Sequence, residues 1–456
     1  MTRRCLVAIA ATLTLAGSAR TLSAQTPRTY RVEDLGTFGG FAMTGVAIDA
    51  NGDIAGTGSW GDDSLRAFRW TPRRGIENLG TNGGVYSRAD AINDRGDVVG
   101  FYLGVDGIQH PYLAPRHGRM QELTAYPNLI RLTGINSDRR LTGTTDQFHA
   151  YRTLADGTLQ ELSTHYSEGW AINASGDVTG TGSVIWPGGT PTYTAFRYTD
   201  ADGYVDLGTL SGTWSVGTAI NAGGTVVGYY DKGTTPGAFL AFRARPGMPM
   251  EDLGLLPGGF FGGIAAANGI NDLGEIVGSA DVPNDTTAPF LYTDAEGMID
   301  LRSRISIRDR AKFPMIFRAN GINNQGQIVA EYWNGERYGT VRLVPRDRVD
   351  PPDSRPVATP FLLRPNDGRM VSVSIDPRAT DDFDPHPSCA ITRVTNSDFP
   401  GLEIDPDVQI TSPLTVDLRA TTHGGARPGR VYVIAVACSN YLGKTSTGYT
   451  AVVVSR

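Results

Sequence analysis

The chain has 456 residues, 57 of them glycine, and a formal net charge of −6. That length allows two or more domains, and a glycine-rich, lysine-poor composition favours strands and turns over helices. An acidic balance without a run of Lys and Arg excludes nucleic acid and anionic membrane surfaces as expected partners, because both are held through basic patches.

Residues 1–24 read as an export signal. Arg3 and Arg4 supply the positive start, and Leu6 to Ala16 form an apolar run too short for a mature membrane anchor. Small residues follow, and cleavage falls after Ala19 or Ala24. A buried N-terminal helix is the competing reading, and it leaves the charge–apolar–small order unexplained. No later stretch is long and apolar enough for a transmembrane helix, so the expectation is a soluble protein, secreted or periplasmic, without a membrane span.

Residues 30–345 are dominated by internal repetition. One unit recurs seven times. It has an apolar strand ending in Ile-Asn, a tight turn with Gly, a Val-Val-Gly strand, a variable loop, an Ala-Phe strand and an Asp-Leu-Gly strand. The Ile residues are Ile48, Ile92, Ile135, Ile172, Ile220, Ile270 and Ile322, between 37 and 52 residues apart. Four short strands per repeat is the period of a propeller blade. Asn follows the Ile in every repeat except the first, which has Asp49, and its side chain suits a turn acceptor. The Gly three residues later, as in Gly96 and Gly274, suits a left-handed turn position, while the third repeat has Arg139 there. The first Asp-Leu-Gly strand, Tyr30 to Gly36, precedes any Ile-Asn strand, and the last repeat stops at Pro345 without its fourth strand. Pairing the two predicts a ring with no open edge, a seven-bladed β-propeller closed by the N-terminal strand. An open solenoid is the alternative, and it leaves the spare strand unused.

The pattern Asp-Leu-Gly-Thr, Gly-Gly, Ala-Ile-Asn, Gly, Val-Val-Gly, Ala-Phe over about residues 30–345 resembles the bacterial extracellular HAF repeat, named for His-Ala-Phe. Here that tripeptide reads Arg66-Ala67-Phe68, His110-Pro111-Tyr112, His149-Ala150-Tyr151 and Thr194-Ala195-Phe196 in the first four repeats, so the His survives only at His110 and His149. The resemblance implies secretion and a repeat fold, and it transfers no catalytic residue.

Residues 346–360 are proline-rich and read as a semi-rigid linker. Residues 361–456 alternate as a small β-sandwich and resemble the immunoglobulin-like modules appended to bacterial secreted proteins, most clearly in the stretch from Leu418 to Ser446. Cys5 is lost with the signal, leaving Cys389 and Cys438 as an expected disulfide in an oxidising compartment.

Candidate chemistry is sparse. Asp53, Asp97 and Asp177 lie in repeated turns, where architecture explains them better than catalysis does. His110, His149 and His165 raise a metal site, but two of them share one repeat position, which favours a repeated hydrogen bond. Asp381, Asp382 and Asp384 are the best candidate for calcium, weighed against a solvated turn. No nucleophile elbow and no phosphate loop occurs. If the Asn–Gly hairpins lie on one face, the loops of variable length lie on the other, and these carry Trp60, Trp186, Trp214 and Trp333. Trp70 and Trp170 fall within strands, as core or channel lining. The expected function is a non-catalytic binding or scaffold protein, a monomer, meeting an extracellular glycan or protein through those four tryptophans. The alternative is a secreted propeller hydrolase or lyase acting on polysaccharide in a central pocket.

Overall fold

The structure, a computed structural model, describes residues 27–455 apart from 62–63, 185–191, 234–236, 260–262, 283–285, 347–348, 365, 399–404 and 423–428. The export signal expected at 1–24 lies outside the described residues.

The repeat region is a series of four-stranded antiparallel blades. The first comprises Gly39–Ile48, Ile54–Trp60, Leu65–Thr71 and Gly75–Asn78, paired in chain order. Five further sheets, beginning at Tyr86, Leu129, Ser167, Ser215 and Ala265, repeat that meander. The seventh takes Met315–Ile322, Ile328–Trp333 and Tyr338–Pro345 from the end of the region and its outer strand, Tyr30–Asp34, from the beginning. Those two segments run antiparallel, Tyr30 facing Pro345 and Asp34 facing Val341.

The repeated residues explain the repeated geometry. In each hairpin the side-chain oxygen of the Asn, or of Asp49 in the first, accepts the backbone N–H four residues on, at 2.9 Å for Asn93 with Asp97 and 2.9 Å for Asn271 with Glu275. Gly96 and Gly274 close their turns at φ +76° and +80°, as expected. Arg139 adopts φ +61° in the third hairpin, a strained conformation for a side chain with a Cβ. Its guanidinium reaches Asp97 of the neighbouring hairpin at 2.8 Å, which offsets part of that strain. The Gly of Val-Val-Gly has a different cause. A Cβ on Gly56 would sit 2.1 Å from the Thr44 carbonyl and 2.6 Å from the Phe68 ring, which is buried. The aromatic of the third strand therefore fills the space that the glycine leaves.

The Asn residues do a second job that the turn signature does not foretell. Each Nδ2 donates to the backbone carbonyl of the next repeat's equivalent residue: Asn93 to Asn136, then to Asn173, Asn221, Asn271 and Asn323, at 3.0–3.1 Å. Asn323 donates to the Asp49 carbonyl at 2.9 Å, back in the first hairpin. Asp49 has no amide to pass on. Instead Asn51 donates to the Asp94 carbonyl at 3.0 Å.

A buried arginine after the Ala-Phe pair ties sheets together. Arg69, Arg152 and Arg342 each donate through Nη1 to the hairpin glycine carbonyl of the next sheet, Gly96, Gly176 and Gly52. Their Nε atoms meet Glu77, Gln160 and Glu33 on the outer strand. Burying a guanidinium is tolerable only when its donors are used in this way. Leu113 and Leu291 occupy the position in the second and sixth sheets.

The C-terminal region is two four-stranded sheets. One holds Val357–Thr359, Met370–Asp376, Thr415–Arg419 and Val408–Ser412. The other holds Leu362–Leu363, Thr445–Val454, Arg430–Ser439 and Ser388–Asn396. Val373, Val416, Leu418, Tyr432, Ile434 and Val452 share one core between them. Cys389 and Cys438 are bonded across facing positions of two neighbouring strands. The expected linker 346–360 is not connector throughout, because Val357–Thr359 pairs with Met370–Asp376. A 3-10 turn, Leu301–Arg304, and a short helix, Ile307–Lys312, precede the seventh sheet and touch the C-terminal region. There Ile307 N–H donates to the Asp382 carbonyl and Tyr441 Oη to the Ser303 carbonyl.

Candidate ligand-binding faces

Trp60 and Trp333 end the second strands of the first and seventh sheets, and Trp214 immediately precedes the first strand of the fifth. All three sit at the sheet ends remote from the Asn hairpins, as the register requires: Trp60 faces Gly39, Trp333 faces Met315, and Trp214 abuts the Ser215–Tyr230 pair. Trp186 lies outside the described residues. The three differ in environment. Trp60 is 41% exposed and leans on Phe38 at 5.2 Å between ring centroids. Trp333 packs against Tyr338 at 4.6 Å and Phe41 at 5.7 Å, and these two are 41% and 54% exposed. Trp214 is only partly accessible, wedged between Tyr229 and Phe239. The three described tryptophans are thus at least partly accessible at one end of the sheets, and Trp333 belongs to an aromatic cluster where the first and seventh sheets meet. A second, composed of Phe148, Tyr166 and Tyr193, joins the third and fourth sheets. A reading confined to Trp missed these Phe and Tyr residues, although they too fall in or beside the variable loops.

Along the first strands of several sheets, a cavity of about 180 Å³ is lined by Arg88, Asp90, Arg131 and Trp170, among others. Trp170 is thus a cavity-lining residue, as its strand position suggested. Burial pushes the Asp90 carboxyl up to about 6, although Arg88 lies 2.9 Å away and pulls the other way. Arg131 pairs with Glu168 at 2.8 Å and covers the Trp170 ring at 5.0 Å. Burial likewise raises the Glu331 carboxyl, which accepts from Asn320 Nδ2 at 2.5 Å. Each of these three carboxylates faces a cation or an amide.

The remaining candidates are occupied with structure. His110 contacts Glu122 at 2.9 Å, and His149 contacts Glu161 at 3.0 Å, the same outer-strand pairing in adjacent sheets. Asp381 accepts the N–H groups of Phe383 and Asp384 and the side-chain amide of Asn440. Asp384 accepts those of His386 and Tyr441, so these carboxylates pin a loop. Among the described residues no group of three or more His, Cys, Asp or Glu is placed to hold a metal ion. At the hairpin end, a cavity of about 210 Å³ is lined by the Ile and Asn of the repeats, from Ile48 round to Asn323.

No family model and no curated protein matches the chain. Solved structures do. The β-propeller domain of the Trilobed protease from Pyrococcus furiosus is similar at 7% identity, over 67% of this chain and 94% of that one, with a TM-score of 0.44. PorZ, a bacterial surface component of the type-IX secretion system of Porphyromonas gingivalis, is similar at 12% identity, over 90% of this chain and 59% of that one, with a TM-score of 0.42. TolB from Acinetobacter baumannii is similar at 15% identity, over 45% and 52%, with a TM-score of 0.33. At such identities and TM-scores the likeness assigns neither a function nor a ligand. The chain is an all-β protein of four-stranded blades with β-propellers among its structural neighbours.

Proposed function

We propose that the chain is a secreted or periplasmic, non-catalytic binding protein whose repeats form a closed seven-bladed propeller of the HAF-repeat kind, followed by an immunoglobulin-like module. Three features support the ring: the Tyr30–Asp34 strand completing the last sheet, the amide chain returning to Asp49, and a cavity bordered by every repeat. The ligand is a glycan, met as a monomer at the loop end. The observation that carries this reading is the solvent-facing cluster of Phe41, Trp333 and Tyr338, with Trp60 nearby. Exposed aromatic surface carries a hydration cost that a sugar face relieves by stacking. A glycan array probed with the mature protein tests it: at least one neutral glycan should bind, and W60A/W333A should weaken that binding roughly tenfold or more. Failure of every glycan to bind, or binding untouched by the double substitution, refutes it.

One observation favours a polysaccharide hydrolase or lyase instead, namely the Asp90 carboxyl held near 6 in the cavity that it lines. On that reading D90N abolishes turnover of a polysaccharide, whereas on the binding reading no polysaccharide is turned over by either form.

A further inference from the structure

On the hairpin side, between the first and second sheets, lies a cavity of about 520 Å³ lined by Asp53, Arg69, Arg73, Arg74, Arg116 and His117, among others. It meets a second cavity, of about 390 Å³, at Glu77. Four arginines against the two carboxylates of Asp53 and Glu77 leave two positive charges there, in a chain whose net charge is −6. Two of the four have structural duties. Arg69 is buried and bonds Glu77, the Gly96 carbonyl and the Arg116 carbonyl. Arg116 pairs with Asp53 at 2.7 Å. Arg73, Arg74 and His117 are exposed, and among the described residues their side chains have neither hydrogen bond nor ion pair.

Repetition shows that these cations are not required by the fold. The turn between third and fourth strands holds Asp156 in the third sheet, Asp200 and Asp202 in the fourth, and Asp294 and Glu296 in the sixth. Those acids neutralise buried arginines: Asp200 pairs with Arg152, and Asp294 with Arg243. The fifth sheet carries Arg245 in that turn, but it is paired with Glu251 and Asp294. In the first two sheets the same turns carry Arg73-Arg74 and Arg116-His117, of which Arg73, Arg74 and His117 add positive charge that no carboxylate of the described residues pairs.

We propose that this cleft binds an acidic saccharide, one bearing carboxylate or sulfate groups. Guanidinium groups suit both anions, and a cavity of this size suits a sugar residue or two. Asn51, Thr71 and Gln325 line it and offer partners for hydroxyls. Among the described residues no Trp, Tyr or Phe lines it, so these give nucleobases no stacking platform. The sequence did not announce this site, because its two basic pairs lie far apart in the chain and meet only across the sheet boundary. The site is independent of the aromatic end.

Calorimetric titration of the mature chain at low ionic strength, with an oligogalacturonate and a heparin-derived oligosaccharide, tests the proposal. At least one should bind, and the one that does identifies the anion. R73S/R74S, confined to an exposed turn, should lower that affinity roughly tenfold with the melting temperature unchanged, while W60A/W333A leaves it intact. The proposal is overturned if neither saccharide binds, or if R73S/R74S binds like the parent. It is equally overturned if W60A/W333A removes the binding, or if a single-stranded oligonucleotide binds more tightly than both saccharides.

Discussion

At the hairpin end, every repeat turns in the same way: the backbone N–H of residues 49, 93, 136, 173, 221, 271 and 323 donates to the carbonyl four positions on. At the loop end, the equivalent connections differ in length and composition, and aromatic rings gather there, as with Phe41, Trp333 and Tyr338. Different constraints act at the two ends. A hairpin whose Asn must both cap its own turn and reach its neighbour's carbonyl has little freedom to vary. A loop that no neighbour depends on is free to acquire a ligand. The departures within the uniform end are informative for the same reason, because Asp49, Arg139 and the Arg73-Arg74 turn break a pattern that the fold otherwise repeats.

The largest effect is expected at the junction of the first and seventh sheets. Deleting residues up to Gly36 removes the partner strand of Tyr338–Pro345 and takes Glu33 away from the buried Arg342. Loss of cooperative melting and aggregation are expected in calorimetry and light scattering, since a bare edge and an unpaired buried cation result. A truncated chain that melts like the mature one contradicts the closed arrangement.

A smaller effect is expected from Asn271→Ala. It removes the acceptor for the Glu275 N–H and the donor to the Asn323 carbonyl, both buried or nearly so. Urea unfolding should show a loss of about 2–4 kcal/mol. A loss as small as that of a surface substitution would show that the amide chain is incidental.

Asp49→Asn should act in the opposite direction. Burial pushes the Asp49 carboxyl up from 3.8 to about 6. The folded state therefore holds its proton more tightly than the unfolded chain, and stability is lost as pH rises through that window. An amide at 49 keeps the acceptor for Asn51 and Asp53 N–H and supplies the missing donor toward Asn93. A gain of about 2 kcal/mol at pH 7 is expected, fading as the pH falls from about 6 to 3.8, where the folded parent takes up its proton. Equal stability of the two at pH 7 argues against the buried charge.

The smallest expected change is Gly274→Ala. No atom lies within 4 Å of a Cβ built there, so the cost is that of φ +80° alone, about 1 kcal/mol in a thermal or urea melt. A neutral result would place the strain elsewhere in the turn.

Much of this was legible in the sequence because it recurs. The Ile-Asn-x-x-Gly unit gave the hairpins, the surplus Tyr30–Asp34 strand pointed to its pairing partner, and cysteine parity indicated the disulfide. What recurs less visibly was missed. The arginine after Ala-Phe looks like an ordinary charged residue, and only burial against the next hairpin carbonyl reveals its role. The helix Ile307–Lys312 is too short to show a 3.6-residue period. The aromatic clusters and the basic cleft form between repeats, so no single repeat displays them. Trp60 and Trp214 look alike as loop tryptophans, yet one faces solvent and the other is wedged between two rings.

The central proposal is that the hairpin end holds a closed ring while the loop end meets the ligand. Glycan-binding isotherms recorded with thermal melts for Asn271→Ala and for W60A/W333A test it directly. The account predicts that Asn271→Ala lowers the melting temperature but binds with parental affinity where folded, and that W60A/W333A melts like the parent but binds weakly. If the tryptophan variant loses stability and keeps its affinity, or the asparagine variant loses affinity while keeping its stability, the division between the two ends is contradicted.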